Sequence, residues 1–352
     1  MGFIADYFHL QRKPIGLDIS PSSIKAIELK KRGEKFVVSA YGNSPLPPNI
    51  FSENEIVGKE VLVDQIKKAL SEAQPKEIET KQAVVSLPEG ASFNKLIVFP
   101  KMKKRELEEA VKWEANQSIP LPPSEIYLDW EIISEEKEKS HLKVFFQAAP
   151  KSLVDNYLEV LHLAGIVPVA FEIETVALAR VFLPILKKDE GTIIFDIGAK
   201  TSRIDVFDQG TIQLTGSVLV GGEEITLALA RELNLSIEEA EKIKKHSPRK
   251  DKHFSLRFQQ AVETALEHIA HEAKQSIKFY QEHSGRKIEK AILCGGSSVL
   301  LGIKKNLAKD LGIKVELGNP LGSLHPASSH ILPPGQSLLY TTAIGLALRG
   351  EK

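Results

Sequence analysis

Residues 193–207, IIFDIGAKTSRIDVF, set an aspartate inside an apolar run, directly before a glycine and a cluster of small hydroxyl residues. Isoleucines and a phenylalanine closing on Asp196-Ile197-Gly198 read as a buried strand that ends in a tight turn, with a second strand leaving from Ser202. The same pattern stands near the start of the chain. Residues 15–29, IGLDISPSSIKAIEL, lie over it without a gap: Ile15 meets Ile193, Asp18 meets Asp196, Ser20 meets Gly198, Ser23 meets Thr201 and Lys25 meets Arg203. Two copies in the two halves of the chain suggest duplicated domains facing one another. A turn that offers successive backbone N–H groups and hydroxyls forms a concavity of partial positive charge, suited to phosphate. Two carboxylates across a cleft would orient a magnesium ion and its waters, because Mg²⁺ prefers a few carboxylates together with water and substrate oxygens. The alternative is a pair of ordinary β-turns, each with an aspartate stabilising the bend.

Composition narrows the setting. A chain of 352 residues exceeds what one hydrophobic core usually spans, so two domains or a pseudo-symmetric pair of halves are expected. The 46 basic residues balance 46 acidic ones without a long single-sign block, which argues against a nucleic-acid groove. Cys294 is the single cysteine, so no disulfide can form within the chain and a reducing, cytosolic setting is expected. No apolar run approaches the ~18–20 residues that span a bilayer, and MGFIADYFHLQRKP lacks the order of a signal peptide. Phe3, Ile4, Tyr7 and Phe8 fit one face of a short helix, read either as a terminal helix packed on its domain or as a membrane or partner contact. A soluble protein is expected, with membrane association only through a partner or that segment.

Outward from the two hairpins, KFVVSAYG extends the first into a meander. A helix is predicted over 55–73, with Val57, Val61, Ile66 and Leu70 near helical spacing. Strands AVVSLP, KLIVFP, YLDWEII and KVFFQAAP surround one amphipathic helix, KKRELEEAVKWEANQSIP, that stops at Pro120. KSLVDNYLEVLHLAG reads as a helix capped by Gly165, IVPVAF as a strand, and 174–185 as a helix. Gly221 and Gly222 open a helix, Ser236 caps another, and HSPRKDKH is a predicted loop before a long helix over 254–283. The strand KAILC, the turn GGSS, a helix, the strand KVEL and the helix LLYTTAIGLALR complete the chain.

In this arrangement the sequence resembles the actin-like ATPase superfamily and, within it, the PilM proteins of type IV pilus assembly, relatives of the division protein FtsA. The superfamily's five signatures fall in order: IGLDISPSSIKAIEL and IIFDIGAKTSRIDVF resemble the two phosphate loops, VAFEIETVALAR and TTAIGLAL the two connecting segments, and AILCGGSSVLLGI the adenosine loop. VFPKMKKRELEEAVKWEANQSIPLPPSEIYLDWEII is similar to the inserted subdomain of PilM and is not a superfamily feature.

The resemblance implies an α/β, ribonuclease H-like fold of duplicated halves around a nucleotide cleft, with an FtsA-type inserted α+β subdomain. It divides the chain into a first-half core (1–89 with 164–190 and 338–352), an inserted subdomain (90–163), a second-half core (191–224 with 289–337) and a lid (225–288). It also implies ATP and Mg²⁺ as ligands. Asp18 and Asp196 would sit near the metal, and Ser22, Ser23, Lys25, Gly198, Lys200 and Thr201 would contact phosphates. Glu174 matches the acidic residue that orients the attacking water, although a carboxylate at a helix N-terminus also interacts favourably with the dipole. Glu241 and Lys244, three apart on one helix face, would reach the nucleoside, or form a plain solvent-exposed pair. Gly221, Gly222, Gly295, Gly296 and Ser297 would let backbone approach adenine and phosphate, where tight packing alone also explains glycine. Ser20-Pro21 stands where the superfamily has a glycine and a small residue, which leaves fewer N–H donors and a stiffer turn, so at most weak ATP hydrolysis is expected.

The implied role is a cytoplasmic scaffold at the inner face of the cytoplasmic membrane. Its implied partner is the N-terminal cytoplasmic peptide of a PilN-like protein, held between the inserted subdomain and the first-half core. Motor ATPases, a platform protein and self-association are further candidate contacts, while nucleic acid is not. An FtsA-like division role and a small-molecule kinase, with Asp129 as its candidate base, are the alternatives. Walker A, Rossmann and hydrolase-elbow motifs are absent. His268 and His271, flanked by Glu267 and Glu272, are expected on a solvated helix face rather than at a metal. Trp113 is expected in a core, with a partner anchor as the alternative, and Cys294 as buried filler.

Overall fold

The computed structural model describes residues 13–52, 55–136, 141–246 and 252–349. The expected N-terminal helix of Phe3, Ile4, Tyr7 and Phe8 lies outside these residues, as does most of the HSPRKDKH loop. The chain divides into two compact units. The first comprises Met1–Arg180 with Leu324–Ile331 and Thr342–Lys352, and the second Val181–Ser323 with Leu332–Thr341.

In the first unit, β1 (Ile15–Ser20), β2 (Ser23–Arg32) and β3 (Lys35–Pro45) form the antiparallel meander. A small pair, β4 (Phe51–Ser52) and β5 (Glu55–Ile56), precedes helix α1 (Lys59–Ser71) and strand β6 (Gln82–Leu87). The predicted helix over 55–73 is therefore shorter, and its inner face differs. Leu62, Val63, Ile66, Ala69 and Leu70 are buried, whereas Val57 lies before the helix and both it and Val61 are exposed. The difference is one of phase, since Leu62 and Val63 stand one and two positions on from Val61 and share the i, i+3, i+4 stripe of Ile66.

An inserted three-stranded antiparallel sheet of β7 (Phe93–Pro100), β8 (Ile126–Glu136) and β9 (His141–Pro150) runs in the order β7-β9-β8 and carries α2 (Lys104–Ser118) on one face. Helix α3 (Lys151–Leu163), strand β10 (Val167–Ile173) and helix α4 (Glu174–Phe182) return to the main sheet, whose order is β10-β6-β1-β2-β3. Apolar residues of α1 and α3 cluster with β1, β2 and β6, while Ala177 of α4 and Leu346 meet Val84 in a separate cluster. The strands beneath are apolar on both faces because both are covered.

The second unit repeats this plan. Strands β11 (Gly191–Ile197), β12 (Ser202–Asp208) and β13 (Thr211–Leu214) form its meander, and β14 (Ser217–Val218) adds to β12. Helices α5 (Gly222–Leu233), α6 (Ile237–His246) and α7 (Lys252–Ser284) follow, then β15 (Ile288–Cys294), α8 (Ile303–Leu311) and β16 (Lys314–Leu317). The sheet order β13-β12-β11-β15-β16 matches β3-β2-β1-β6-β10 strand for strand, and in both sheets the last two strands run parallel to the first. Helix α9 (Thr341–Arg349) ends the described chain and crosses β1 so closely that a Cβ on Gly16 would stand 1.9 Å from the Ala343 carbonyl oxygen. Residues 324–331 pack on β3, where the backbone N–H of His325 donates to the Phe36 carbonyl at 2.6 Å.

Candidate functional site

The two hairpins agree beyond sequence. In the first unit Asp18 stands opposite Lys25 across β1 and β2; in the second, Asp196 stands opposite Arg203 across β11 and β12. Each pair forms an ion pair at 3.1 Å. Lys25 and Asp18 are only 8% and 6% exposed, so each charge is desolvated and held by the other.

In the first unit Asp18 uses both oxygens: Oδ2 accepts from Lys25 Nζ and Oδ1 accepts from Ser86 Oγ at 3.0 Å. The Ser86 hydroxyl in turn accepts the backbone N–H of Ile19 at 2.9 Å, which fixes the strand end. Pro21 and Ser22 make the turn, and it is internally satisfied. Ser20 Oγ donates to the Ser23 carbonyl at 2.9 Å and accepts from Lys25 Nζ at 3.2 Å. Ser22 and Ser23 are half-buried, and Glu174 is the first residue of α4. Burial pushes the Tyr157 phenol well up, and the charges of Glu174 and Asp18 push it the same way, so the two carboxylates act on one buried phenol. Ser86 and Tyr157 were not anticipated. The only sequence signal for Ser86 is a hydroxyl at the end of the apolar run AVVSLP.

The second unit brings more of the expected residues together. The turn after β11 closes with the Gly198 N–H donating to the Thr201 carbonyl at 3.0 Å, leaving Lys200 and Thr201 exposed. Two segments then fasten to it. The first N–H groups of α5 donate back, Gly222 to the Gly198 carbonyl at 2.9 Å and Glu223 to that of Ala199 at 2.8 Å. The turn after β15 adds the Ser297 N–H to the Ile197 carbonyl at 3.0 Å and Ser297 Oγ to that of Gly198 at 3.1 Å. This meeting requires glycine at 295 and leaves little room for a side chain at 222. Gly295 has φ of +86°, and a Cβ there would lie 2.3 Å from Asp196 Oδ1; one on Gly222 would lie 2.3 Å from Ser297 Oγ.

Glu241 and Lys244 of α6 also converge here, and they are not a plain solvent pair. Lys244 Nζ reaches the Gly222 carbonyl at 2.8 Å, Thr226 Oγ1 at 2.7 Å and Glu241 Oε2 at 2.6 Å. Burial pushes the Glu241 carboxyl up, but hydrogen bonds from Lys244 and Thr226 and the charge of Lys244 bring it below the usual carboxylate range. The helix is started by a capping box, with Ser236 Oγ accepting the Glu239 N–H at 3.2 Å and Glu239 accepting the Ser236 N–H at 2.9 Å. Thr226 was missed because its spacing marks it as an ordinary inward α5 position.

Each Asp18 oxygen accepts one hydrogen bond and Asp196 Oδ2 accepts one from Arg203, so each carboxylate keeps further lone pairs. Each, within its own unit, fits as an acceptor for metal-bound water. Among the described residues no group of three or more His, Cys, Asp or Glu side chains is placed to hold a metal. His268, His271, Glu267 and Glu272 are exposed on α7, as expected. Burial, with the charge of Asp196, pushes the Cys294 thiol well up and keeps it unreactive. Trp113 corrects the expectation of a core position, being 63% exposed on α2, whose inner stripe is Leu107, Val111 and Ala115. Asp129 is exposed on β8 and accepts the N–H of Trp130 at 2.9 Å.

A cavity of about 370 Å³ opens within the first unit where the inserted sheet rejoins the core. Ser52 and Glu55 of the small pair, Ala91 before β7, Pro150, and Ser152, Leu153 and Asn156 of α3 line it.

Residues 16–351 match the family described as "Type IV pilus assembly protein PilM". A solved "PilM-PilN type IV pilus biogenesis complex" contains a chain 28% identical, with a TM-score of 0.83 over 97% of this chain and 99% of that one. The cell division protein FtsA of Streptococcus pneumoniae is 22% identical over 380 residues, covering 95% of this chain and 82% of FtsA. MreB5 of Spiroplasma citri, solved bound to AMPPNP, shares the fold at 14% identity with a TM-score of 0.52 over 96% of each chain.

Proposed function

The chain belongs to the family of type IV pilus assembly protein PilM, with an actin-like fold, and on that premise we propose that it is a nucleotide-binding scaffold that captures the N-terminal cytoplasmic peptide of a PilN-like membrane protein. The observation that carries the partner reading is the cavity between α3, the β4–β5 pair and the edge of the inserted sheet. Its ~370 Å³ suits a few peptide side chains, since pockets that bury small ligands start near 300 Å³. Among the described residues no helix is long and apolar enough to cross a membrane. The proposed attachment to the inner membrane runs through that partner or through the N-terminal segment.

In the nucleotide reading, ATP is a structural or switching ligand with weak or negligible hydrolysis. Gly198, Lys200 and Thr201 hold phosphate in the second unit, with Gly221, Gly222, Gly295, Gly296 and Ser297 forming the backbone around that turn. Ser22, Ser23 and Lys25 are the matching candidates in the first unit, and Asp18 and Asp196 are, each within its own unit, candidate acceptors for metal-bound water. A magnesium ion would neutralise phosphate charge when bound. Glu174 is the candidate for orienting water. Slow hydrolysis follows from the first turn, where Ser20 and Lys25 are already engaged with each other and with Asp18.

The test is a fluorescence titration of the protein with a labelled synthetic peptide copying the first residues of the PilN-like protein of the same organism. Saturable binding is expected, and Ser152→Trp, an exposed position on the cavity rim, is expected to abolish it while the protein stays folded. Absence of binding at ~100 μM peptide, a free energy weaker than about −5.5 kcal/mol, would refute the partner reading.

A further inference from the structure

The geometry points to Thr226 as the positioning residue that sets Glu241 to read the ribose hydroxyls of the bound nucleotide. This deepens the nucleotide reading above and rests on it. Thr226 is 4% exposed on the second turn of α5, a lone hydroxyl in the apolar run ITLALA. Its hydroxyl lies 2.6 Å from Glu241 Oε2 and 2.9 Å from the Gly222 carbonyl, and it accepts from Lys244 Nζ at 2.7 Å.

Donor counting fixes the roles. An ammonium has three N–H donors, and Lys244 has three acceptors: Gly222 O, Thr226 Oγ1 and Glu241 Oε2. None is left for a ligand, so Lys244 clamps α6 onto the first turn of α5. A hydroxyl has one proton. Of its two acceptors the Glu241 carboxylate oxygen is both the nearer, at 2.6 Å against 2.9 Å for the Gly222 carbonyl, and the charged one, so the Thr226 proton goes to Glu241.

Glu241 Oε2 is thereby held from two sides. Among the described residues Oε1 pairs with Lys245, at 3.2 Å on a side chain that is 65% exposed, and the Glu241 side chain itself is 35% exposed. One carboxylate oxygen is anchored and the other is presented at the protein surface as an acceptor. The donors of a nucleoside that suit a carboxylate best are its vicinal hydroxyls, because O–H···O⁻ bonds are short and charge-assisted. The presenting oxygen is also in register with the phosphate turn. The same Gly222 whose carbonyl takes the clamp donates its N–H to Gly198, so phosphate loop, α5 and Glu241 form one hydrogen-bonded linkage.

The experiment compares ATP with 2′-deoxy-ATP by calorimetric titration in magnesium buffer on the full chain and on Thr226→Val, Thr226→Ser and Glu241→Gln. The parent is expected to favour ATP over 2′-deoxy-ATP by about tenfold, as one hydrogen bond to a charged group warrants. Thr226→Val is expected to bring the two nucleotides near parity, Thr226→Ser to recover most of the preference, and Glu241→Gln to match Thr226→Val. The double variant should lose no more than either single one, because the threonine acts through the glutamate. A parent that binds both nucleotides equally overturns the inference, as does a Thr226→Val variant that keeps the preference. Equal loss for both nucleotides would make the residue merely structural and also overturns it. Should Thr226→Val not fold, Glu241→Gln with undiminished preference decides against the inference by itself. A parent that binds neither nucleotide is a separate outcome and refutes the nucleotide reading beneath it.

Discussion

Replacing Asp208 by asparagine tests whether the base of the second sheet is held by a single buried charge. Asp208 ends β12, the strand that carries Arg203, and its side chain is fully buried. It accepts the Tyr280 hydroxyl at 2.5 Å, the Gln209 N–H at 2.7 Å, Arg286 Nη2 at 2.9 Å and Arg286 Nε. Burial alone would push this carboxyl up; the hydrogen bonds from Arg286, Tyr280 and the Gln209 N–H outweigh it and hold the carboxyl below its ordinary value. The same environment, burial first and then the hydrogen bond to Asp208, pushes the Tyr280 phenol up to about 12. Asparagine keeps the shape, removes the charge and turns an NH₂ group toward donors. Breaking a buried ion pair costs about 3–5 kcal/mol. The Arg286 side chain is 35% exposed and partly rehydrates, so the lower end, about 3 kcal/mol, is expected. For a unit of this size that lowers the melting temperature by roughly 6–12 °C. The pH dependence has a definite sign. A carboxyl whose folded-state pKa is depressed contributes stability above the unfolded value of about 3.9, and that contribution is lost as pH falls through the folded value. The deficit of Asp208→Asn is therefore full at pH 7 and shrinks below about pH 4. Calorimetric melts of parent and variant, from pH 7 down to the lowest pH at which both are folded, measure it. A variant melting within ~2 °C of the parent at pH 7, or a deficit unchanged in acid, would refute the reasoning.

Lys25→Met leaves Asp18 desolvated without its cation, and a loss of about 3–5 kcal/mol in chemical denaturation is expected; a loss under ~1 kcal/mol contradicts the buried pair. Gly295→Ala forces a left-handed φ, costing about 1–2 kcal/mol, and drives a methyl into Asp196 and Ile197, so abolished ATP binding by calorimetry is the expected result. Trp113→Ala, on the open face of α2, should shift stability by no more than ~0.5 kcal/mol, and a larger loss in a urea melt would mean that the ring is packed.

The duplicated hairpin was legible because its determinants are local. Apolar alternation, a turn-forming stretch and a fixed seven-residue offset from Asp18 to Lys25 and from Asp196 to Arg203 survive in one dimension, and the strand registers pair those same residues. Helix α7 and the glycine-capped α3 followed from periodicity for the same reason. The phase of α1 did not, because Val57 and Val61 share the spacing of a buried stripe and only the sheet beneath decides which stripe turns inward. Trp113 failed likewise: the sequence marks α2 as amphipathic, but its apolar stripe ends at a ring that the inserted sheet does not cover.

What the sequence determined by itself is therefore the repeat, the family, the order of elements and most of the polar residues around the second turn. Each of these rests on neighbours along the chain or on a motif read whole. What only the tertiary structure decided is who holds whom: Ser86 on Asp18, Ser297 on Gly198, Thr226 between Glu241 and Lys244, Arg286 on Asp208. These partners come from strands and helices distant in the chain. Burial creates them, since a polar group removed from water must find its hydrogen bond in whatever segment packs against it, and no pattern along the chain records which segment that is.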